Sequence, residues 1–274
     1  MPRAVRTDIV QPDGRHVHLY GDFEPAPAGY RAPAMPNGVY QRRWNPLRRE
    51  WVLVAASRQA RTFLPERADC PLCPSRPDHS TEIPAARFQA AVFENRGEQV
   101  GVTLHHPHGQ IYAYPFVPPV PATELGRHAG GCLQCELVRG ELTARHRVLI
   151  NDGGIVAYVP ESARWPYEVH VATRAHRPAL PDVPPAGRRA LLAAMQRVTR
   201  AYDRLFEVPM PYMMSMHQSP AEASAQAHLH VEFYPIMRDR GKLKFLAGSE
   251  SGAGVFINDT LAEESADRLR GLLE

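Results

Sequence analysis

The segment "HHPHGQIYAYPFVPP", residues 105–119, places three histidines within four positions, directly before Gly-Gln and an apolar, aromatic run. His106 and His108 are two positions apart, so their imidazoles point to the same side of an extended chain. The stretch 109–117 has the composition of a strand. Two adjacent imidazoles before a strand are typical of a metal site, a nucleophile site, or a site where one histidine does each job.

The arrangement occurs twice, because each of two Cys-x-x-Cys pairs precedes a His-x-His pair and a strand. The first set is Cys70, Cys73, His106 and His108. The second set is Cys132, Cys135, His228 and His230. We therefore predict a duplicated module, with halves at 1–124 and 125–274. The interval from the cysteines to the histidines is 33 residues in the first half and 93 in the second, so the first half is shortened.

The rest of the chain predicts an α+β fold of antiparallel strands with few long helices. Strands are expected at 49–57, 88–95, 109–117, 147–151, 154–160, 167–176 and 227–236. Helices are expected at 184–206 and 264–274. In the first helix, apolar side chains recur at helical spacing at Leu191, Leu192, Met195, Val198 and Tyr202. The first half has no such helix, so we expect its sheet face to be bare, exposing Val92 and Ile111, or to be covered by a partner chain or the Pro-rich N-terminal segment.

Composition narrows the class of protein. The 274 residues are 44% hydrophobic and 22% charged, with a net charge of +3, which is typical of a soluble globular protein and gives no argument for nucleic-acid binding. No run of about 18 apolar residues exists to span a membrane. The first residues show no apolar signal core, so we expect a cytoplasmic protein. In a reducing compartment, paired cysteines more often bind metal or do redox chemistry than form disulfides. Redox chemistry is disfavoured here because neither pair is expected to open a helix in a βαβ unit.

The residue types in the Cys-x-x-Cys and His-x-His motifs indicate which chemistry each motif could perform. Cys-x-x-Cys supplies two thiolates of a tetrahedral zinc site, and a histidine from a distant strand is a normal third ligand. An imidazole can attack phosphorus when its other nitrogen is fixed by an acceptor. After His108, Gly109 allows a phosphate to approach the backbone, and Gln110 can donate an amide N–H to a phosphoryl oxygen.

Several longer segments then point to one family. They are "NPLRREWVLVAASRQARTF" (45–63), "CPLC" (70–73), "ENRGEQVGVTLHHPHGQIYAYPFVPP" (94–119), "WPYEVHVATRAH" (165–176), "HLHVEFYPIMR" (228–238) and "KLKFLAGSE" (242–250). Through them the chain resembles the galactose-1-phosphate uridylyltransferase family of the histidine-triad superfamily, over almost its whole length. The resemblance implies exchange of UMP between UDP-glucose and galactose 1-phosphate through a covalent UMP-histidine. It also implies two histidine-triad-like halves, bound zinc with a second zinc or iron, and a homodimer that binds neither nucleic acid nor membrane.

The resemblance also assigns roles. His108 is implied as the nucleophile, and Gln110 as a contact of the transferred phosphoryl group. Cys70, Cys73 and His106 are implied zinc ligands. The implied substrate contacts are Arg58, Arg61, Asn95, Gly101, Thr103, Lys244, Phe245 and Glu250. A second metal site of the family corresponds to Glu124, His217, His228 and His230. The second cysteine pair offers an alternative set, Cys132, Cys135, His176 and His228, which we favour because zinc prefers sulfur. The two sets share His228, so both are not expected to form complete sites.

The chain departs from the family in its first half. One "VFENRG" string, residues 92–97, stands where the family has two such strings with several elements between them. The fourth ligand of the first zinc site would lie in the missing stretch, and His79 and His105 are weak replacements. Two other functions stay open: a histidine-triad nucleotidyl transferase or phosphorylase acting on adenine nucleotides, and an inactive remnant.

Overall fold

The computed structural model describes residues 5–10, 16–21, 40–46, 48, 50–55, 89–102, 108–114, 116–126, 131–220 and 226–273. It forms two compact units, one made of 1–87 with 103–108 and the other of 88–102 with 109–274. Both contain antiparallel strands, and the second also carries the helices, which confirms the predicted α+β class.

The first unit contains two hairpins. Strand β1 (Val5–Val10) pairs with β2 (His16–Gly21), and β3 (Tyr40–Asn45) pairs with β4 (Glu50–Ala55). The turn between β3 and β4 is closed by Asn45, whose side-chain oxygen accepts a hydrogen bond of 3.3 Å from the backbone N–H of Arg48. Strand β4 confirms the strand predicted at 49–57.

The second unit is built on a seven-stranded antiparallel sheet in the order β6-β5-β10-β11-β9-β8-β7. The strands are β5 (Gln89–Arg96), β6 (Gly109–Tyr114), β7 (Val148–Asp152), β8 (Ile155–Tyr158), β9 (Val169–Thr173), β10 (Tyr212–His217) and β11 (His230–Pro235). All were predicted except β10. Its sequence "YMMSMH" carries three methionines, which have no strand preference, so neighbouring strands select this conformation.

One face of this sheet is covered by helices α3 (Pro185–Leu205) and α4 (Ala262–Arg270), as predicted. Leu191 and Val198 of α3 are buried in the main core with Val171 and Phe233 of the sheet. Burial of each such side chain contributes about 1.5–3 kcal/mol. Leu192, which the periodicity grouped with them, is exposed, because successive helical residues lie about 100° apart.

Two helices not predicted from the sequence follow β6. They are α1 (Pro119–Gly126) and α2 (Leu133–Ala144). Helix α2 packs Val138 against Val156, Tyr158 and Ala172, on the face opposite α3. The short strands β12 (Met237–Asp239) and β13 (Lys242–Leu243) complete the unit. None of the described helices is long and apolar enough to cross a bilayer.

The antiparallel pair β5–β10 joins strands β5 and β6 to the rest of this sheet. Phe93 lies opposite both Gln110 of β6 and Ser215 of β10, and Ser215 lies opposite Glu232 of β11. Gln110 and Glu232 each stand two residues after the second histidine of a His-x-His pair. A pseudo-two-fold axis through the Phe93–Ser215 pair therefore relates the two positions, about 14 Å apart at ~4.8 Å per strand.

The face of β5 and β6 on the side of α3 is incompletely covered. Ile111 is 69% exposed, as expected from the missing helix, whereas Val92 is half-buried. The prediction of an uncovered first-half face is therefore confirmed at Ile111 and only partly met at Val92.

Candidate metal centres and active-site strand

The first predicted metal site and part of the substrate site lie outside the described residues. These positions are Arg58, Arg61, Cys70, Cys73, Thr103 and His106. His108 is half-buried and directly precedes Gly109, the first residue of β6. Asn95 and Gln110 share one sheet face, because Gln110 pairs with Phe93 and Asn95 is two residues further along the same strand. Gly101 has φ of 79°, a left-handed conformation that suits glycine and ends a 3-10 turn.

Lys244, Phe245 and Glu250 belong to the segment that follows β13. Lys244 is buried with its ammonium 3.2 Å from the Glu250 carboxylate, and it also donates to the carbonyl oxygen of Ile257. Glu250 accepts from the backbone N–H of Ala247 at 3.1 Å. Phe245 is 74% exposed. The ion pair therefore holds a folded segment that presents Phe245 to solvent.

The second cysteine pair lies at the start of α2. Cys132 is the N-cap residue, and its Sγ accepts a hydrogen bond of 3.4 Å from the backbone N–H of Cys135. This pair therefore opens a helix. The described sheet around it is antiparallel, so the βαβ setting of a redox motif is absent there.

Four potential ligands meet at this helix end: Cys132, Cys135, His176 and His228. Nδ1 of His228 lies 3.4 Å from Sγ of Cys132 and 3.3 Å from Sγ of Cys135, and Nδ1 of His176 lies 3.6 Å from Sγ of Cys135. A tetrahedral zinc ion with Zn–S of ~2.3 Å and Zn–N of ~2.05 Å would hold sulfur and nitrogen roughly 3.5 Å apart. The donor atoms are therefore spaced for a tetrahedral metal ion.

His228 is oriented for this role. Its Nε2 lies 2.8 Å from the carbonyl oxygen of Thr173, so Nε2 carries the proton and donates, and Nδ1 turns its lone pair toward the sulfurs. Burial lowers the pKa of His228 to about 4, and the neighbouring His176 and His230 act in the same direction. The imidazole is consequently neutral at pH 7, the form that binds metal.

The Cys135 thiol is protonated at neutral pH when no metal is bound. Burial raises the pKa of Cys135 to about 11, and the hydrogen bond and charge of Cys132 add to the effect. A metal ion must therefore displace a thiol proton on binding.

A second group lies on the sheet face that carries Glu232: Glu124, His217, His230 and Glu232. Nδ1 of His217 is 3.0 Å from both carboxylate oxygens of Glu124. Nε2 of His230 is 3.4 Å from Oε1 of Glu232. Nδ1 of His230 donates to the carbonyl oxygen of His228 at 2.8 Å, which leaves Nε2 as the ligand atom. Two imidazoles and two carboxylates suit zinc or iron.

Charges in this group are coupled. Burial raises the pKa of Glu232, but the charges of His170 and His217 and a hydrogen bond from His230 outweigh it and hold that pKa well below its ordinary value. Burial lowers the pKa of His170, yet the charge of Glu232 and the hydrogen bond to Glu168 raise it overall. The pKa of His217 is raised against the effect of burial by Glu124 and Glu232.

The structure separates the two ligand sets that the sequence left competing for His228. His228 lies with the thiols, and Glu232 takes its place in the second group, so the described residues form two groups with no shared member. The carboxylate group thus differs from the predicted set at one position, where Glu232 stands in place of His228. Glu232 was missed, although its position two residues after His230 on a strand puts it on the same face.

Comparisons with known proteins agree with these motifs. Residues 122–274 match the sequence model of the galactose-1-phosphate uridyl transferase C-terminal domain, and residues 79–118 match that of the N-terminal domain. A galactose-1-phosphate uridylyltransferase of Thermotoga maritima is 30% identical, with 83% of this chain and 97% of that protein covered. One of Haemophilus influenzae is 34% identical, with 69% and 57% covered.

Solved structures give the same grouping. A structure of a uridylyltransferase superposes with a TM-score of 0.64 at 37% identity, over 68% of this chain and 60% of that one. An Arabidopsis thaliana ADP-glucose phosphorylase at 22% identity and a TM-score of 0.56 shares the fold. For several relatives, including one from Cryptococcus neoformans, the chain spans about half of their length, 50% in that case.

The alignment with the Thermotoga protein extends over 310 residues but uses 83% of this 274-residue chain, or about 227 residues. About 80 positions of the relative therefore face gaps here, in agreement with the N-terminal match of only residues 79–118. The chain belongs to the galactose-1-phosphate uridylyltransferase family, with a shortened N-terminal region.

Proposed function

We propose that the chain transfers UMP from UDP-glucose to galactose 1-phosphate through a UMP–His108 intermediate. The observation that best supports this proposal is the His108-Gly109-Gln110 sequence at the start of β6, with Gln110 and Asn95 on one sheet face. The family supplies the reaction and its substrates. Arg58, Arg61, Gly101, Thr103, Lys244, Phe245 and Glu250 are the remaining proposed substrate contacts.

In the first half-reaction, an imidazole nitrogen of His108 attacks the α-phosphorus of UDP-glucose. The bond from that phosphorus to the bridging oxygen breaks, and glucose 1-phosphate leaves with the oxygen and its electron pair. In the second, a phosphate oxygen of galactose 1-phosphate attacks the same phosphorus, the P–N bond breaks, and UDP-galactose forms. The amide of Gln110 donates to a non-bridging oxygen where charge develops.

The metal groups are proposed to have a structural role. Cys132, Cys135, His176 and His228 would hold zinc between the start of α2 and the segments that follow β9 and precede β11. The Glu124 group would hold a second zinc or iron. A first zinc site at Cys70, Cys73 and His106 remains a proposal from the family. We also propose that the protein is cytoplasmic, since the thiols of Cys132 and Cys135 are free and reduced thiols persist in that compartment. A homodimer is proposed from the family resemblance alone. The division into halves at 1–124 and 125–274 is proposed from the repeat.

The test is formation of the adduct. Purified protein is incubated with UDP-glucose labelled in the α-phosphate, and the denatured protein is analysed for acid-labile label. We expect about one label per active site, loss of label in His108→Gly, and normal labelling in His146→Gly, a control at an exposed histidine. ADP-glucose labelled in the same way tests the adenine-nucleotide alternative. Equal labelling of the His108→Gly and His146→Gly proteins would disprove the assignment.

A further inference from the structure

The two oxygens of the Glu232 carboxylate lie in different surroundings. Oε2 accepts a hydrogen bond from the hydroxyl of Tyr234. Oε1 lies 3.4 Å from Nε2 of His230 and 3.5 Å from Nε2 of His170. The side chain is buried, so these contacts, rather than solvent, decide how the carboxylate is oriented.

The separation between Oε1 of Glu232 and Nε2 of His230 suits a metal ion. A tetrahedral zinc ion with Zn–N of ~2.05 Å and Zn–O of ~2.1 Å would hold nitrogen and oxygen roughly 3.4 Å apart. The two atoms are 3.4 Å apart. Nδ1 of His230 already donates to the main chain, at 2.8 Å, so Nε2 can keep its lone pair for a metal. Oε1 and Nε2 are therefore spaced as two ligands of one ion.

His170 does not compete with a metal for Oε1 of Glu232. Its Nε2 lies closer to Oε1 of Glu168, at 2.9 Å, than to Glu232, at 3.5 Å. The other oxygen of Glu168 accepts hydrogen bonds from the backbone N–H groups of Arg164, at 2.7 Å, and Trp165, at 3.0 Å, which fixes that carboxylate. The His170 proton is therefore donated to Glu168, and Oε1 of Glu232 keeps a lone pair for an ion.

Tyr234 is placed to hold the other oxygen of Glu232. It follows Glu232 by two residues on β11, so both side chains lie on the same sheet face. The guanidinium of Arg164 lies 5.6 Å from the centre of the Tyr234 ring, and the side chain is half-buried. A tyrosine hydroxyl donates its proton when its partner is a carboxylate. The hydroxyl therefore occupies Oε2 and leaves Oε1 facing His230.

We propose that Tyr234 is a positioning residue for the carboxylate metal centre: its hydroxyl binds Oε2 of Glu232, so that Glu232 ligates the ion through Oε1 alone. The inference rests on the proposed metal centre at Glu124, His217, His230 and Glu232. Hydrogen-bond partners of metal ligands typically contribute roughly 10- to 100-fold in metal affinity. Loss of the hydroxyl would free Oε2 and let the carboxylate rotate away from His230.

The test uses the full chain with Cys132→Ser, which disables the thiol centre, and titrates zinc in competition with a chromogenic chelator. Tyr234→Phe removes only the hydroxyl and keeps the ring, and it should weaken zinc binding by about tenfold or more. Tyr158→Phe is the matched control, because the buried hydroxyl of Tyr158 contacts Gln134, at 3.0 Å, outside the metal group. It should bind zinc as tightly as the Cys132→Ser parent.

A double-mutant cycle tests whether Tyr234 acts through Glu232. In Glu232→Gln protein, Tyr234→Phe should cause no further loss of zinc affinity, whereas a loss caused by general destabilisation would persist. Melting curves establish that each variant is folded.

The inference is overturned if the Tyr234→Phe and Tyr158→Phe proteins bind zinc equally. It is also overturned if Tyr234→Phe weakens zinc binding as much in Glu232→Gln protein as in the parent. Either result leaves the metal centre itself intact. If the Cys132→Ser protein binds no zinc, the proposed metal centre fails together with the inference.

Discussion

Nδ1 of His230 donates a 2.8 Å hydrogen bond to the carbonyl oxygen of His228. The imidazole of His228 belongs to the thiol group, while its main chain orients an imidazole of the carboxylate group. The two candidate metal centres are therefore adjacent along the chain at the start of β11 and share a backbone contact but no ligand.

Because no ligand is shared, the two centres should lose metal independently. We expect Cys132→Ser and Glu124→Gln each to lower the metal content by one ion per chain, and the double variant to lower it by two, measured by atomic emission on purified protein. Leu133→Ala, between the cysteines and exposed, is the control and should keep full content. Full metal in both single variants would exclude these centres.

Metal affinity at the thiol group should rise with pH. The pKa of Cys135 is raised to about 11, so its proton must be displaced below that pH, and affinity is expected to change about tenfold per pH unit for each proton displaced. His228, with a pKa of about 4, adds no proton near neutrality. Competition with a chromogenic chelator at several pH values, in Glu124→Gln protein to remove the other centre, measures this. An affinity that does not change with pH would contradict it.

Glu232→Gln should lower the pKa of His170 and His217 in metal-free protein, because the charge of Glu232 helps to raise both. Histidine titrations by nuclear magnetic resonance measure the change. Glu232, with a lowered pKa, contributes stability above pH ~4.3 that is lost as the pH falls. His170, with a raised pKa, contributes stability that is complete below pH ~6.5 and lost as the pH rises through its pKa.

The stability difference between the parent and Glu232→Gln should therefore be largest between pH about 4.5 and 6.5. Urea unfolding of both metal-free proteins across this range gives the difference. Unchanged histidine titrations in the variant would show that Glu232 is not coupled to these imidazoles.

Asp203→Ala should destabilise the contact between α3 and β5. Its carboxylate pairs with both terminal nitrogens of Arg96 on β5, at 2.8 and 3.0 Å, and accepts from the backbone N–H of Met210 at 3.0 Å. Since the pair is partly exposed, we expect a loss of about 1–2 kcal/mol in the free energy of unfolding. Urea unfolding measures it, with Asp152→Ala, an exposed residue of β7, as the control. An equal loss of unfolding free energy in both variants would show that the Arg96–Asp203 pair does not stabilise the fold more than an exposed residue does.

Sequence reasoning predicted most of the seven-stranded sheet because alternation and β-branched residues mark strands such as β8 and β9. It missed β10, whose methionines are selected by the neighbouring strands. It identified the residues of the thiol group from their spacing. It could not separate the two ligand sets, because which of His228 and His230 turns toward the cysteines depends on hydrogen bonds to Thr173 and to the main chain.

The pairing of β5 with β10 also has a consequence for solubility. Strands β5 and β6 occupy the end of the sheet next to β10, so their local unfolding would expose the backbone of β10 as a free edge. Exposed edge strands are templates for intermolecular β-pairing and aggregation. Strands β5 and β6 thus protect the edge of β10, and their hydrogen-exchange protection is expected to set the rate at which the protein aggregates.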